Sequence, residues 1–292
     1  MNYKAYTLSA LIKILYVAGM TTVLPLSGAT FNYSTGPLTV DQGFNSDIIN
    51  IFAPANVTFT GTLRNASQIN SFGGSSLFSG TLQSGTIMNV QGGFITATGT
   101  IQNNVFINQT AGSLNLNTVQ NNATFNISGG EIQFNQSVGN TASVSISGGT
   151  VILNQDDVFA GSTNVTMSGG KLDTQGYDLN LDTLTLTGNA VLDLGNNPDV
   201  VVNVGAISGS GQLTIVNFVT TNQVIFDPTT SNINVGQQVY YGTTPAIVDG
   251  NTIIIGTPVI PETGTWIGLS LVLSFALYRE RKRFLPKSKA DA

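Results

Sequence analysis

Phe125-Asn126-Ile127-Ser128-Gly129-Gly130-Glu131-Ile132-Gln133-Phe134-Asn135 reads as an alternating strand, a Ser-Gly-Gly corner and a second alternating strand. The unit recurs as Val144-Ser145-Ile146-Ser147-Gly148-Gly149-Thr150-Val151-Ile152-Leu153-Asn154, and again as Val165-Thr166-Met167-Ser168-Gly169-Gly170-Lys171-Leu172. The corner serines fall 19 and then 21 positions apart. Leu184-Thr185-Leu186-Thr187-Gly188-Asn189 follows 19 later, and Ile207-Ser208-Gly209-Ser210-Gly211 comes 21 after that. Upstream, Val90-Gln91-Gly92-Gly93 and Thr110-Ala111-Gly112-Ser113 keep a looser version.

A steady period of this size marks a supersecondary unit that cannot bury its apolar face alone and must stack on its neighbours. Period-2 strands punctuated by glycine corners predict a single-stranded, right-handed parallel β-helix, an all-β solenoid. Glycine serves where the chain turns with positive φ or where coils approach closely. Asparagine tolerates left-handed corners and can stack in ladders. At about 4.8 Å per coil, some eleven coils would span roughly 50 Å. A meander of hairpins gives no reason for one glycine corner per coil. The solenoid is expected over residues 30–256, with less regular caps at 31–56 and 216–256. In the second cap, Gln223 to Phe226, Gln238 to Tyr241 and Thr252 to Ile255 read as strands.

Between residues 30 and 258 there are two basic residues, Arg64 and Lys171, against twelve Asp or Glu. Nucleic acid is excluded as a partner, because phosphate binding needs clustered Lys and Arg. The chain has no cysteine and no histidine. Disulfides and thiolate chemistry are thereby excluded, and so are the commonest general base and metal ligand.

The two ends read as addresses. Lys4 and Lys13 precede the mostly apolar Ile14 to Leu26, and Ser27-Gly28-Ala29 places small residues at both recognition positions of a signal peptidase. Residues 1–29 are therefore expected to be a signal peptide, cut after Ala29. At the other end, a spacer and motif at 257–265 precede an apolar segment at 266–278 and a basic tail at 279–292. Arg279, Arg281, Lys282 and Arg283 abut the apolar run and would keep the C-terminus cytoplasmic. The expected membrane helix is short, roughly 20 Å against a hydrocarbon core of about 30 Å, as suits a temporary stop or a snorkelling anchor.

Val259-Ile260-Pro261-Glu262-Thr263-Gly264-Thr265-Trp266, with the apolar run and basic end, resembles the PEP-CTERM sorting domain. The resemblance implies handling by an exosortase-type membrane enzyme of Gram-negative bacteria that make extracellular polysaccharide. Thr263 departs from it, since the family usually has proline there. Ile260 to Gly264 also resembles the LPxTG motif read by sortases, which would make the chain a cell-wall adhesin. The resemblance covers the last tenth of the chain, with Pro261, Glu262, Thr263 and Gly264 as the motif, and implies address rather than activity. The repeat style is similar to autotransporter passengers and adhesins.

A search for chemistry finds little. Lys171 is the sole lysine available to a serine nucleophile in the repeat region; Ser168 precedes it across a Gly-Gly corner, and an exposed corner lysine is the simpler reading. Asp156 and Asp157 are adjacent, whereas Asp173 and Asp193 lie one repeat apart and would stack on neighbouring coils. Such a pair suits a shared proton, a calcium ion or glycoside hydrolysis. Asp199 completes the candidate calcium ligands. The sequence is read as a non-catalytic exported protein without cofactor. Its role would be structural or adhesive, toward polysaccharide or copies of itself, at the bacterial surface or in the extracellular matrix. The alternatives are a carbohydrate-active β-helix enzyme, a sortase-anchored adhesin, and a membrane-retained protein whose tail is never cut.

Overall fold

The computed structural model describes residues 28–255, apart from 42, 65, 160, 161, 220 and 228. The chain divides into two units, Met1–Ile255 and Gly256–Ala292, and every described residue belongs to the first. The expected signal segment, save Gly28 and Ala29, lies outside the described residues. So do the motif Pro261, Glu262, Thr263 and Gly264, the apolar run, and the stop at Arg279, Arg281, Lys282 and Arg283. Among the described residues no helix is long and apolar enough to cross a membrane; their helix is the four-residue Val235–Gln238.

The described chain is all-β and winds into a parallel solenoid of about ten turns. Each coil contributes one strand to a first face and one to a second, with a corner between them. On the first face Thr124–Ile127 lies in register between Phe106–Gln109 and Ser143–Ile146. On the second, Glu131–Phe134 lies between Ser113–Leu116 and Thr150–Leu153. The longer strands Gln68–Phe78 and Ile87–Ala97 run through the corner and join both faces. A third side is narrow in the middle coils. There one residue per coil bridges to the next, in the column Leu63, Leu82, Ile101, Val119, Val138 and Phe159.

The period-2 pattern explains the core. Phe125 and Ile127 point inward while Thr124 and Asn126 point outward. Like positions stack from coil to coil, so Ile49, Ile69, Met88, Ile107, Phe125 and Val144 form one continuous buried column. Phe59 and Phe78 stack with ring centroids 4.5 Å apart. Each such buried side chain contributes about 1.5–3 kcal/mol against exposure.

The Ser-Gly-Gly corner is a steric requirement. Gly130 has φ +75°, and a Cβ there would lie 2.4 Å from the Gly112 carbonyl oxygen of the coil behind. Gly149 repeats this at φ +72° and 2.5 Å from the Gly130 oxygen. A second left-handed corner precedes the first face. Asn104 and Asn122 occupy it, as the expectation for asparagine required, but Ala66 and Thr141 do too.

The coil count is about ten where the period implied eleven, because coils lengthen toward the C-terminus. One coil takes 18 residues from Thr30 to Ile48 and 26 from Leu213 to Val239. Residues 31–56 were expected to cap the stack. They carry in-register strands, with Thr30–Tyr33 paired to Ile48–Ile51 and Leu38–Val40 to the strand Asn56–Phe59. In 216–256 the expected strands appear as Gln223–Phe226, Val239–Tyr241 and Thr252–Ile255. A further strand, Thr244–Asp249, completes an antiparallel hairpin that ends the parallel ladder. The buried Tyr241 hydroxyl donates to the Ile253 carbonyl at 2.7 Å and ties the hairpin down.

Candidate functional site

Asp173 and Asp193 are direct partners in the second-face ladder, on adjacent coils. Both are buried, 5% and 7% exposed. Lys171 sits two residues before Asp173 and so points to the same side of the strand. Its Nζ lies 2.7 Å from Asp173 Oδ2 and 3.2 Å from Asp193 Oδ2. Lys171, expected as an exposed corner lysine, is therefore the half-exposed shared cation of a carboxylate pair. The hydrogen bond to Asp173 is the main cause that raises the Lys171 pKa above its ordinary value. Burial alone would raise Asp193. Hydrogen bonds from Asn217 and the Gly195 amide, with Lys171, outweigh it and hold the carboxyl below its ordinary range.

Each of the four carboxylate oxygens accepts a hydrogen bond. Asp173 Oδ1 takes the Gln175 amide at 2.9 Å, and Asp193 Oδ1 takes the Gly195 amide at 3.1 Å and Asn217 Nδ2 at 2.7 Å. Hydrolysis of a glycoside needs one carboxyl able to hand over a proton and a second open to the sugar. This pair stacks as the sequence suggested, yet its oxygens are committed to protein donors.

The other candidate acids take part in contacts between coils. Asp156 Oδ1 accepts from the Asp178 amide and Asp178 Oδ1 from the Val201 amide, each one coil further on. Asp157 accepts from the Asn180 side chain. Asp156 and Asp157 occupy a turn, with φ +50° at Asp157. The Asp199 amide donates to Thr221 Oγ1. Among the described residues no three acids come close enough to hold a metal ion.

Asp47 was not singled out in the sequence. It is buried and accepts from the Ala29 amide at 2.9 Å and the Asn45 amide at 2.7 Å. The Ala29 carbonyl in turn accepts from the Ile48 amide at 2.8 Å. Ala29, one of the two residues of the expected cleavage site, thus belongs to the first rung; Ser27, the other, lies outside the described residues.

A different arrangement covers the outside of the first face. Asn32, Asn50, Asn70, Asn89, Asn108 and Asn126 are in register on successive coils. Each amide donates to the carbonyl oxygen of the asparagine behind it, at 2.8 to 2.9 Å. The column continues as Ser145, Thr166, Thr185 and Ser208. On one side of the ladder stand exposed Ile48 and Phe106; on the other, exposed Phe52 and Phe72 stack with centroids 5.0 Å apart. No charged residue occupies the outward positions of 48–52, 68–72, 87–91 and 106–110. Compared with family models, with characterised proteins and with solved structures, the chain matches none.

Proposed function

We propose that this is a non-catalytic, exported bacterial protein whose right-handed β-helix is a structural or adhesive element of the cell surface or extracellular matrix. A signal peptidase releases residues 1–29, and an exosortase-like or sortase enzyme reads Pro261, Glu262, Thr263 and Gly264. The apolar segment and Arg279, Arg281, Lys282 and Arg283 hold the tail in the membrane until then. The observation that carries this reading is the uncharged asparagine ladder, a continuous polar face presented over six coils. Asparagine amides offer both donors and acceptors, which suits hydroxyl-rich polymer or a like surface.

The enzyme alternative drew on Asp173 and Asp193. Their full set of protein donors and the Lys171 counter-charge favour a structural role for the pair.

Mass spectrometry of the protein recovered from its native host tests the reading. A C-terminus between Ile260 and Gly264, in the envelope or medium fraction, is expected. Recovery from the cytosol with Met1 and Ala292 both present would overturn it.

A further inference from the structure

We infer that the outer side of the first face, from Ile48 to Thr110, is a binding strip for a neutral, hydroxyl-rich polysaccharide chain laid along the stack of coils. The inference rests on the exported, non-catalytic reading above and specifies its partner.

Apolar exposure is concentrated here. Ile48, Phe52, Phe72 and Phe106, each 36–46% exposed, lie within four successive coils of this one face, and Phe94, 46% exposed, stands just past the corner. Exposed apolar groups gathered in a patch and rimmed by polar residues mark a contact surface. What they flank is a linear array with one amide per coil, spaced about 4.8 Å. A repeating array of that kind matches a repeating polymer better than an irregular globular partner.

The ladder also leaves groups to bind with. An asparagine amide has two N–H donors and a carbonyl oxygen with two lone pairs. Asn89 and Asn108 each spend one N–H and one lone pair on the ladder and keep one of each. Asn70 takes a second donor from Gln68 at 2.8 Å, so its contribution is the remaining N–H. Alternating spare donors and acceptors fit hydroxyls, which both give and accept. The mutual bonds hold the amides in place before a ligand arrives, which lowers the ordering cost of binding. The rows of Phe and Ile provide apolar contact for the C–H faces of sugar rings. Absence of charge at the outward positions of this face offers nothing to an anionic polymer, whereas the acids elsewhere would repel one.

The test uses the full chain in affinity electrophoresis through gels containing a neutral β-glucan, a neutral galactomannan or polygalacturonate. Retardation by at least one neutral polymer, and none by polygalacturonate, is expected. Phe72→Ser with Phe106→Ser, both at half-exposed positions, weakens retardation about tenfold with an unchanged melting temperature. Asn89→Asp, which places a charge in the ladder and removes the donor to Asn70, independently weakens retardation as well. Ile247→Ser, on the C-terminal hairpin, leaves retardation unaltered.

Failure of both neutral polymers to retard the chain overturns the inference, as does retardation indifferent to the Phe and Asn89 variants. A dimer in sedimentation that the Phe variants dissolve, without polymer binding, would assign the strip to a second copy instead. An exported protein that ignores neutral polymers sinks this inference alone. A cytosolic protein with intact ends sinks the reading beneath it, whatever it binds.

Discussion

Lys171 shows what one side chain decides in so acidic a coil. It bridges two carboxylates that the register forces into adjacent rungs, and without its charge their repulsion across one strand spacing would go unopposed. Lys171→Met should cost about 2 kcal/mol, less than for a fully buried pair because the lysine is partly exposed. The pH dependence has a definite sign. Asp193 lies below its ordinary 3.8 when folded, so its contribution is present above that value and is lost as acid takes the pH through the folded pKa. Lys171 lies above 10.5, so its contribution is whole below that pH and fades as base carries it through the raised value. Urea unfolding from pH 2 to 8 should therefore show wild type and Lys171→Met converging below about pH 4. A gap that stays constant into acid would mean the loss is one of packing alone.

The corner is the element that the sequence spelled out most openly, and physics says why. Positive φ and a carbonyl 2.4 Å from any Cβ at Gly130 leave glycine alone, so the requirement is printed as Gly-Gly coil after coil. Gly130→Ala should cost about 2–5 kcal/mol, a left-handed penalty plus overpacking against backbone that cannot yield. Asn122→Gly, at φ +59° on the other corner, should change stability by less than about 1 kcal/mol. Thermal melting of both variants checks the contrast. Other elements were illegible for equally physical reasons. The third side rests on single residues such as Val119 and Val138, and one apolar residue per coil makes no alternation to detect. Strand Thr244–Asp249 was missed because the parallel period has ended there and its partner is an antiparallel neighbour. In the candidate site, stacking of Asp173 on Asp193 could be read from the repeat, but the reach of Lys171 to Asp193 could not. Nor could the asparagine ladder's order, because coil length varies and residues far apart meet only once the register is known.

The described unit is a one-dimensional stack in which each coil touches only the next, so its stability is a sum over neighbours. Inner coils have two neighbours and the first has one. Hydrogen exchange should accordingly be slowest at amides of the middle strands, such as Phe125 and Val144, and faster in Thr30–Tyr33. Equal protection from end to end would show that the stack opens as one cooperative block. The hydrogen bonds at Ala29 have an outcome at this scale. Its amide is committed to Asp47 and its carbonyl to Ile48, so the Ala29–Thr30 linkage is part of a hydrogen-bonded lattice. A peptidase must draw its target out as a free, extended strand. Scission after Ala29, as proposed above, would therefore be a race against winding: a nascent chain severed early would start at Thr30 and leave Asp47 one donor short, while a chain that wound first would keep residues 1–29.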